Sequence, residues 1–391
     1  MASVGTLDTS ASRLSLAEKL WSMNWGLVVL LCCIASFGFA MLFSAANGDL
    51  QPWAAKQMIR FGISLALMLG VAVVDIRFWL RSAYLIYGIA FLLLVAVEIR
   101  GAIGMGAQRW IDLGVIQLQP SELMKVTLVL VLARYFHGLT IEEIGRPLRL
   151  VFPALLIVLP AGLVMKQPDL GTALMLLLSG GAMFFLAGVR WWKFAGVGGI
   201  VGAALPIVWK HMRDYQKNRI YTFLDPENDP QGTGYHILQS KIALGSGGVF
   251  GKGFLLGTQS HLNFLPEKQT DFIFTMLAEE LGLVGGLTLL ALYTLCFVYG
   301  FAIALRSRNH FGRLLGLGLT INFFLYVFIN TAMVMGLIPV VGVPLPLISY
   351  GGTAMLTLMF GFGLVISVYI HRDVRINLIL PIIAPRETTE R

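Results

Sequence analysis

Long apolar runs alternate with short polar breaks along most of the 391 residues. Crossing the hydrocarbon core of a bilayer takes about 20 apolar residues in a helix. Runs near that length lie at 25–44, 58–75, 79–97, 121–137, 150–166, 170–188, 194–209, 272–304, 313–334 and 353–371. The pattern predicts an all-α integral membrane protein of about ten transmembrane helices. The run that begins after Asp271 is longer than a bilayer needs, so it either projects or bends near Gly282, Gly285 and Gly286. Upstream of the first run, SLAEKLWSMNW is amphipathic enough to lie on a membrane surface. The first run exceeds the core of a signal peptide and reads as an uncleaved first helix.

Composition agrees with this pattern. Charged residues are 13% of the chain, against about 25% in a soluble domain. The net charge of +8 is spread over loops and is not a nucleic-acid signature. Cys32, Cys33 and Cys296 lie inside apolar runs and the histidines are scattered, so neither a disulfide framework nor a metal site is indicated.

An even number of spans puts both termini on one side. With that side cytoplasmic, roughly 16 Lys and Arg fall in inner segments and roughly 6 in short outer ones, a positive-inside bias. The resulting plan is a cytoplasmic tail at 1–24, one membrane domain at 25–371 and a cytoplasmic tail at 372–391. Within the domain, 210–271 forms one large extracytoplasmic loop. Polar sequence gathers outside, so the chemistry faces away from ATP.

Several residues could carry that chemistry. Asp271 stands where the large loop becomes a membrane helix, and it fits either a helix N-cap or a base that meets a lipid headgroup. A helix N-terminus would lower its pKa and desolvation would raise it. Glu279 and Glu280 follow two turns later and are either interfacial or need a partner or a wet cavity. Glu122 and Lys125, spaced i, i+3 behind Pro120, form a structural ion pair or line a headgroup cavity. Arg109 and Trp110 offer a cation and an interfacial aromatic. Lys166 and Asp169 flank Pro168. MGLIPVVGVPLPLISYGGT is apolar but too rich in Pro and Gly for a spanning helix, and reads as a partly inserted segment that roofs a cavity. The loop 210–271 reads as irregular and folded back on the membrane domain, with a turn cluster at DPENDPQGTG. GSGGVFGKG lacks phosphate-loop spacing and reads as a flexible turn, with anion binding by its amides as the other reading.

Taken in order, QRWIDLG, QPSELMK, KQPDLGTA, FLDPENDPQGTGYH, QSKIALGSGG, LPEKQTDFIFTMLAEELGLVGG and PLPLISYGG resemble the SEDS family (shape, elongation, division and sporulation). The resemblance covers residues 20–372. QSKIA with Lys241, GKGFLLGTQS and FLPEKQTDFIF place it nearer the RodA-type branch than the division-type branch. One departure is Gln269, where the family commonly has histidine, so a proton relay through that position is not expected.

The resemblance implies a peptidoglycan glycosyltransferase of the bacterial inner membrane that polymerises lipid II beside a class B penicillin-binding protein. It makes Asp271 the essential acid and Glu122 and Lys125 the family's acid–base pair. Arg109, Lys125, Arg219 and Lys241 become the candidates for holding the leaving pyrophosphate, with room for a divalent cation and no other cofactor. Glu279, Glu280 and Ser349 fall within the matched motifs as supporting residues. Two other readings stay open on sequence, a lipid II flippase and a non-enzymatic scaffold.

Overall fold

A computed structural model describes residues 15–104, 107–112, 117–212, 214–225, 233–262 and 267–374. Most of the turn cluster (226–232), residues 263–266, the tail segments 1–14 and 375–391, and the Arg219 side chain lie outside the described residues.

The chain opens with α1 (Leu16–Trp21), α2 (Trp25–Ala45), α3 (Ala54–Val73) and α4 (Ile76–Arg100). Strands β1 (Ala102–Gly104), β2 (Ala107–Asp112) and β3 (Gln117–Leu118) follow. Next come α5 (Pro120–His137), α6 (Ile141–Ile144), α7 (Pro147–Lys166), α8 (Leu170–Leu186) and α9 (Trp191–His211). The order ends with α10 (Asp214–Leu224), α11 (Thr233–Ser246), α12 (Thr258–His261), α13 (Ile273–Arg306), α14 (His310–Val334) and α15 (Gly352–Ile370).

Every expected span coincides with a helix. Seven of these, α2, α3, α4, α7, α13, α14 and α15, are long and apolar enough to cross a membrane. Helix α8 and the apolar part of α9 are shorter, and α5 carries Glu122, Lys125 and Arg134. Helix α5 is nonetheless central: it packs against α4, α8 and α14, and most of its side chains are buried. Helices α14 and α15 share this core. The outer helices turn large apolar side chains outward, among them Leu85 and Leu92 of α4 and Val158 and Leu159 of α7. In water such a surface would drive association. Here it faces lipid in a multi-span membrane protein.

The all-α expectation needs a correction. Strands β1, β2 and β3 form a three-stranded antiparallel sheet, in which Ala102 pairs with Trp110 and Ile111 with Leu118. The segment lies outside the long apolar runs, where strand pairing satisfies backbone groups that a helix would otherwise satisfy internally.

The large loop is not irregular either. Helices α10, α11 and α12 occupy much of its described part. Helix α11 is folded back on the domain, with Ser240 donating to the Val334 carbonyl at 2.8 Å and bonded to Thr275 Oγ1 at 2.8 Å.

Helix α13, 34 residues long, would be about 51 Å if straight, well beyond the bilayer core. It breaks at Gly282 (φ 68°, ψ −164°), one of the glycines expected to bend it. The GSGGVFGKG segment fills the break and is not a flexible turn. The amides of Lys252 and Gly253 donate to the carbonyls of Glu279 and Glu280, each at 3.0 Å. The amides of Leu283 and Val284 donate to Gly248 and Val249 at 3.0 and 3.1 Å. Backbone groups freed by the kink are thus paired by the loop.

The buried carboxylates Glu279 and Glu280 clamp the same loop, so the interfacial reading does not hold for them. Glu279 accepts from Lys252 Nζ at 2.6 Å and from the Gln259 amide at 3.0 Å. Glu280 accepts from Ser44 Oγ at 2.6 Å and the Leu255 amide at 3.2 Å, and contacts His261 Nε2 at 3.1 Å.

Gly251 has φ 81°, and a Cβ there would overlap the Glu280 carbonyl. Gly251→Ala is therefore expected to destabilise the protein by at least about 1–3 kcal/mol. Thermal unfolding in detergent with limited proteolysis of the loop would show it; wild-type behaviour in both would remove the latch.

Candidate functional site

Asp271 lies in the turn 267–272, just before α13. The N-cap position of α13 is Phe272 and no side chain caps it, so Asp271 does not act as the helix cap. Among the described residues its carboxylate accepts no hydrogen bond. Burial, then the charges of Glu267 and Asp169, push its pKa up to about 6, opposed by Arg109. Desolvation is thus the largest influence on this acid. The carboxylate faces Gly342, where a Cβ would stand 3.4 Å from Asp271 Oδ2. Gly342 has φ 70°, so a side chain there would be strained as well as pressed on the acid.

The inserted segment 335–351 holds this turn in place. It stays non-helical between α14 and α15, and Val343, Leu345, Leu347 and Ile348 are buried. Its backbone therefore needs partners within the protein. Ser349 Oγ donates to the Thr270 carbonyl at 2.6 Å and accepts from the Leu345 amide at 2.8 Å. The Tyr350 amide donates to the Gln269 carbonyl at 2.8 Å. Asn330 of α14 joins the two strands of chain, donating to the carbonyls of Asp271 at 3.0 Å and Val343 at 2.8 Å.

Arg109, on β2, reaches the same region. Its guanidinium donates to the carbonyls of Gln167 at 3.2 Å and Pro168 at 2.6 Å, and lies 3.9 Å from Asp169. Asp169 caps α8, accepting from the Thr172 amide at 3.1 Å and Thr172 Oγ1 at 3.0 Å. The irregular backbone at Gln167–Pro168 thus acts as the seat of a partly exposed cation.

Glu122 and Lys125 are 3% and 1% exposed and paired at 2.6 Å. Tyr326 Oη donates to Glu122 at 2.6 Å, and Lys125 Nζ lies 4.2 Å from the Tyr326 ring centroid. Tyr326 and Asn330 are one turn apart on α14, so one helix face touches both the ion pair and the Asp271 backbone. Tyr326 also lines a cavity under the inserted segment, with Pro344, Ser349 and Gly351.

The remaining candidates are more scattered. Lys241 is exposed, and its stem packs on Gly336. Lys166 makes an exposed pair with Glu98 at 3.7 Å. Trp110 is partly buried. Glu279 and Glu280 hold the latch. Among the described residues, no three His, Cys, Asp or Glu side chains converge as metal ligands. Sequence reasoning missed Asn330, Tyr326 and Glu267. A usable signal existed for the first two: polar residues at i, i+4 in an apolar span turn toward the protein interior.

Comparison with known proteins supplies the wider context. Residues 19–374 match the model of the cell cycle protein family of FtsW, RodA and SpoVE. The peptidoglycan glycosyltransferase MrdB of Escherichia coli K12 is 46% identical over 352 residues, covering 88% of this chain and 93% of that protein. Stage V sporulation protein E of Bacillus subtilis is 36% identical, covering 90% and 98%. Among solved structures, a chain from a peptidoglycan synthase complex, described for its coordination of polymerization and crosslinking, matches with TM-score 0.78 and 33% identity. It covers 90% of this chain and 98% of that one. The rod shape determining protein RodA of Thermus thermophilus matches with TM-score 0.69 and 31% identity, covering 90% and 98%.

Proposed function

The chain belongs to the FtsW, RodA and SpoVE family of cell cycle proteins, and from that premise we propose that it is a peptidoglycan glycosyltransferase of cell elongation. It polymerises lipid II into β-1,4 glycan strands in the bacterial inner membrane, with a class B penicillin-binding protein as partner. About ten spans, both termini in the cytoplasm and the 102–118 sheet and 210–271 loop outside complete the reading. One observation carries the site assignment: a partly buried carboxylate, accepting no hydrogen bond among the described residues and with its pKa raised to about 6, stands where a polar outer turn meets a membrane helix.

In the proposed reaction Asp271 takes the proton from the 4-hydroxyl of the acceptor's GlcNAc. The oxygen attacks the anomeric carbon of the donor's MurNAc from the face opposite the leaving group, inverting that centre. The C–O bond to undecaprenyl pyrophosphate breaks, and the pyrophosphate leaves with the electron pair. This anion needs charge neutralisation rather than a general acid. Arg109 is the candidate cation whose charge is felt at Asp271. Lys125 supports the fold of the site through Glu122 and Tyr326. Lys241 and Arg219 remain candidates for contacts with the lipid headgroup. The energy resides in the lipid-linked donor, so no ATP is needed.

The test is to incubate the purified complex with labelled lipid II and no ATP. Long glycan strands are expected on a gel. Lipid II translocation across vesicles without polymer would favour the flippase, and neither activity would favour the scaffold.

A further inference from the structure

Helix α3 presents two cations that none of these steps uses. Lys56 and Arg60 lie one turn apart on one face near the helix start. Neither forms an ion pair or donates a side-chain hydrogen bond among the described residues. Like charges at this spacing repel. An arginine has five N–H donors and no way to lose its charge, so a half-buried one in an apolar helix calls for an acceptor. Arg60 is such a residue; among the described residues its guanidinium stacks on the Tyr350 ring, 4.7 Å from the centroid.

Its surroundings increase the mismatch. A Cβ at Gly352 would lie 3.2 Å from Arg60 Nε, so the guanidinium abuts the first residue of α15. That helix starts without a side-chain cap. A cation against the positive end of a helix is unfavourable until an anion comes between them.

The location ties the pair to the candidate site. Gln57, between the two cations, donates to the Ser349 carbonyl at 3.0 Å and accepts from the Gly351 amide at 3.4 Å. Ser349 in turn bonds the residue before Asp271. The cations therefore share a rigid frame with the turn that carries the acid.

We infer that Lys56 and Arg60 bind a phosphate group of a polyprenyl pyrophosphate, with Arg60 as the principal contact and the chain lying along α3. The inference rests on the glycosyltransferase reading for the identity of the lipid. It adds a binding site for the donor's leaving group or the released product.

The test measures binding without turnover. Undecaprenyl pyrophosphate is titrated into the purified full chain in zwitterionic nanodiscs and followed by native mass spectrometry, with melting temperature as the fold control. Arg60→Gln is expected to weaken binding about tenfold or more. Arg60→Lys keeps the charge but loses the planar fork, and is expected to bind at least about threefold more weakly than wild type. Lys56→Gln should have the smaller effect. Wild-type affinity in folded Arg60→Gln overturns the inference; if that variant does not fold, wild-type affinity in Arg60→Lys does so. Equally effective competition by phosphatidylglycerol would also overturn it, by assigning the site to bulk anionic lipid. If binding depends on Arg60 but the wild-type complex makes no polymer, the site stands and the polymerase reading fails. If the complex polymerises and Arg60→Gln binds normally, this inference alone fails.

Discussion

Asp271→Asn is expected to lower lipid II polymerisation about 10²–10⁴-fold, the usual weight of a general base. The exchange preserves shape. The wild-type carboxylate accepts no hydrogen bond among the described residues, so the variant should fold and still form its complex. The pH profile gives an independent reading. Burial and the neighbouring acids raise the folded pKa to about 6. A base must be ionised to act, so the rate should climb as pH rises through about 6 and level off above it.

The stability sign is opposite. A raised carboxylate pKa means that the folded state holds the proton more tightly. Wild-type stability from this group is therefore greatest below its ordinary value of 3.8 and declines as pH rises to about 6. Asp271→Asn should lack that decline. Product length on gels and melting curves across this window would measure both effects. Full activity in the Asn variant, or no acid limb near 6 in the wild type, would move the base elsewhere.

Lys125→Met is expected to cost about 3–5 kcal/mol, because it leaves the buried Glu122 carboxylate without its cation. Among the described residues Tyr326 then remains as the donor to Glu122, and one neutral hydrogen bond cannot balance a desolvated charge. Combining Lys125→Met with Glu122→Gln removes both charges, and most of the stability should return. The two variants separate support from chemistry. Recovery of both melting temperature and glycan synthesis in the double variant would identify the pair as a structural tie. A stable but inert double variant would contradict that assignment and give the pair a direct part in the reaction.

Both predictions concern residues that were legible in the sequence, but for different reasons. Glu122 and Lys125 are close because of i, i+3 spacing, which is local helix geometry. Their full burial and the reach of Tyr326 across from α14 are not local. Asp271 drew attention by its position at a loop-to-helix boundary, but its state there depends on groups distant in sequence. The N-cap expectation failed because α13 starts after Phe272 and leaves the carboxylate free of the helix amides. Arg109 was visible as a cation. Its tie to Asp169 requires the backbone turn at Pro168, which a residue list does not reveal.

The loop readings show the same limit. Helical pattern in Thr233–Ser246 is obscured by its glycines, and tertiary packing of α11 on α13 and α14 organises it. GSGGVFGKG looked flexible because glycine frees the backbone. In the fold that freedom allows close backbone approach to the broken helix.

By itself the sequence determined the membrane class, the positions of the helical runs and the family, and it marked the glycines at which α13 could bend. These follow from local hydropathy, helix period and ordered motifs, which neighbouring residues carry. Tertiary structure alone decided the small sheet, the loop latched into α13, the protonation balance of Asp271 and the placement of the α3 cations, which form no ion pair among the described residues. Each of these depends on which distant groups exclude water or supply a partner, and that is a property of the packed chain rather than of any stretch within it.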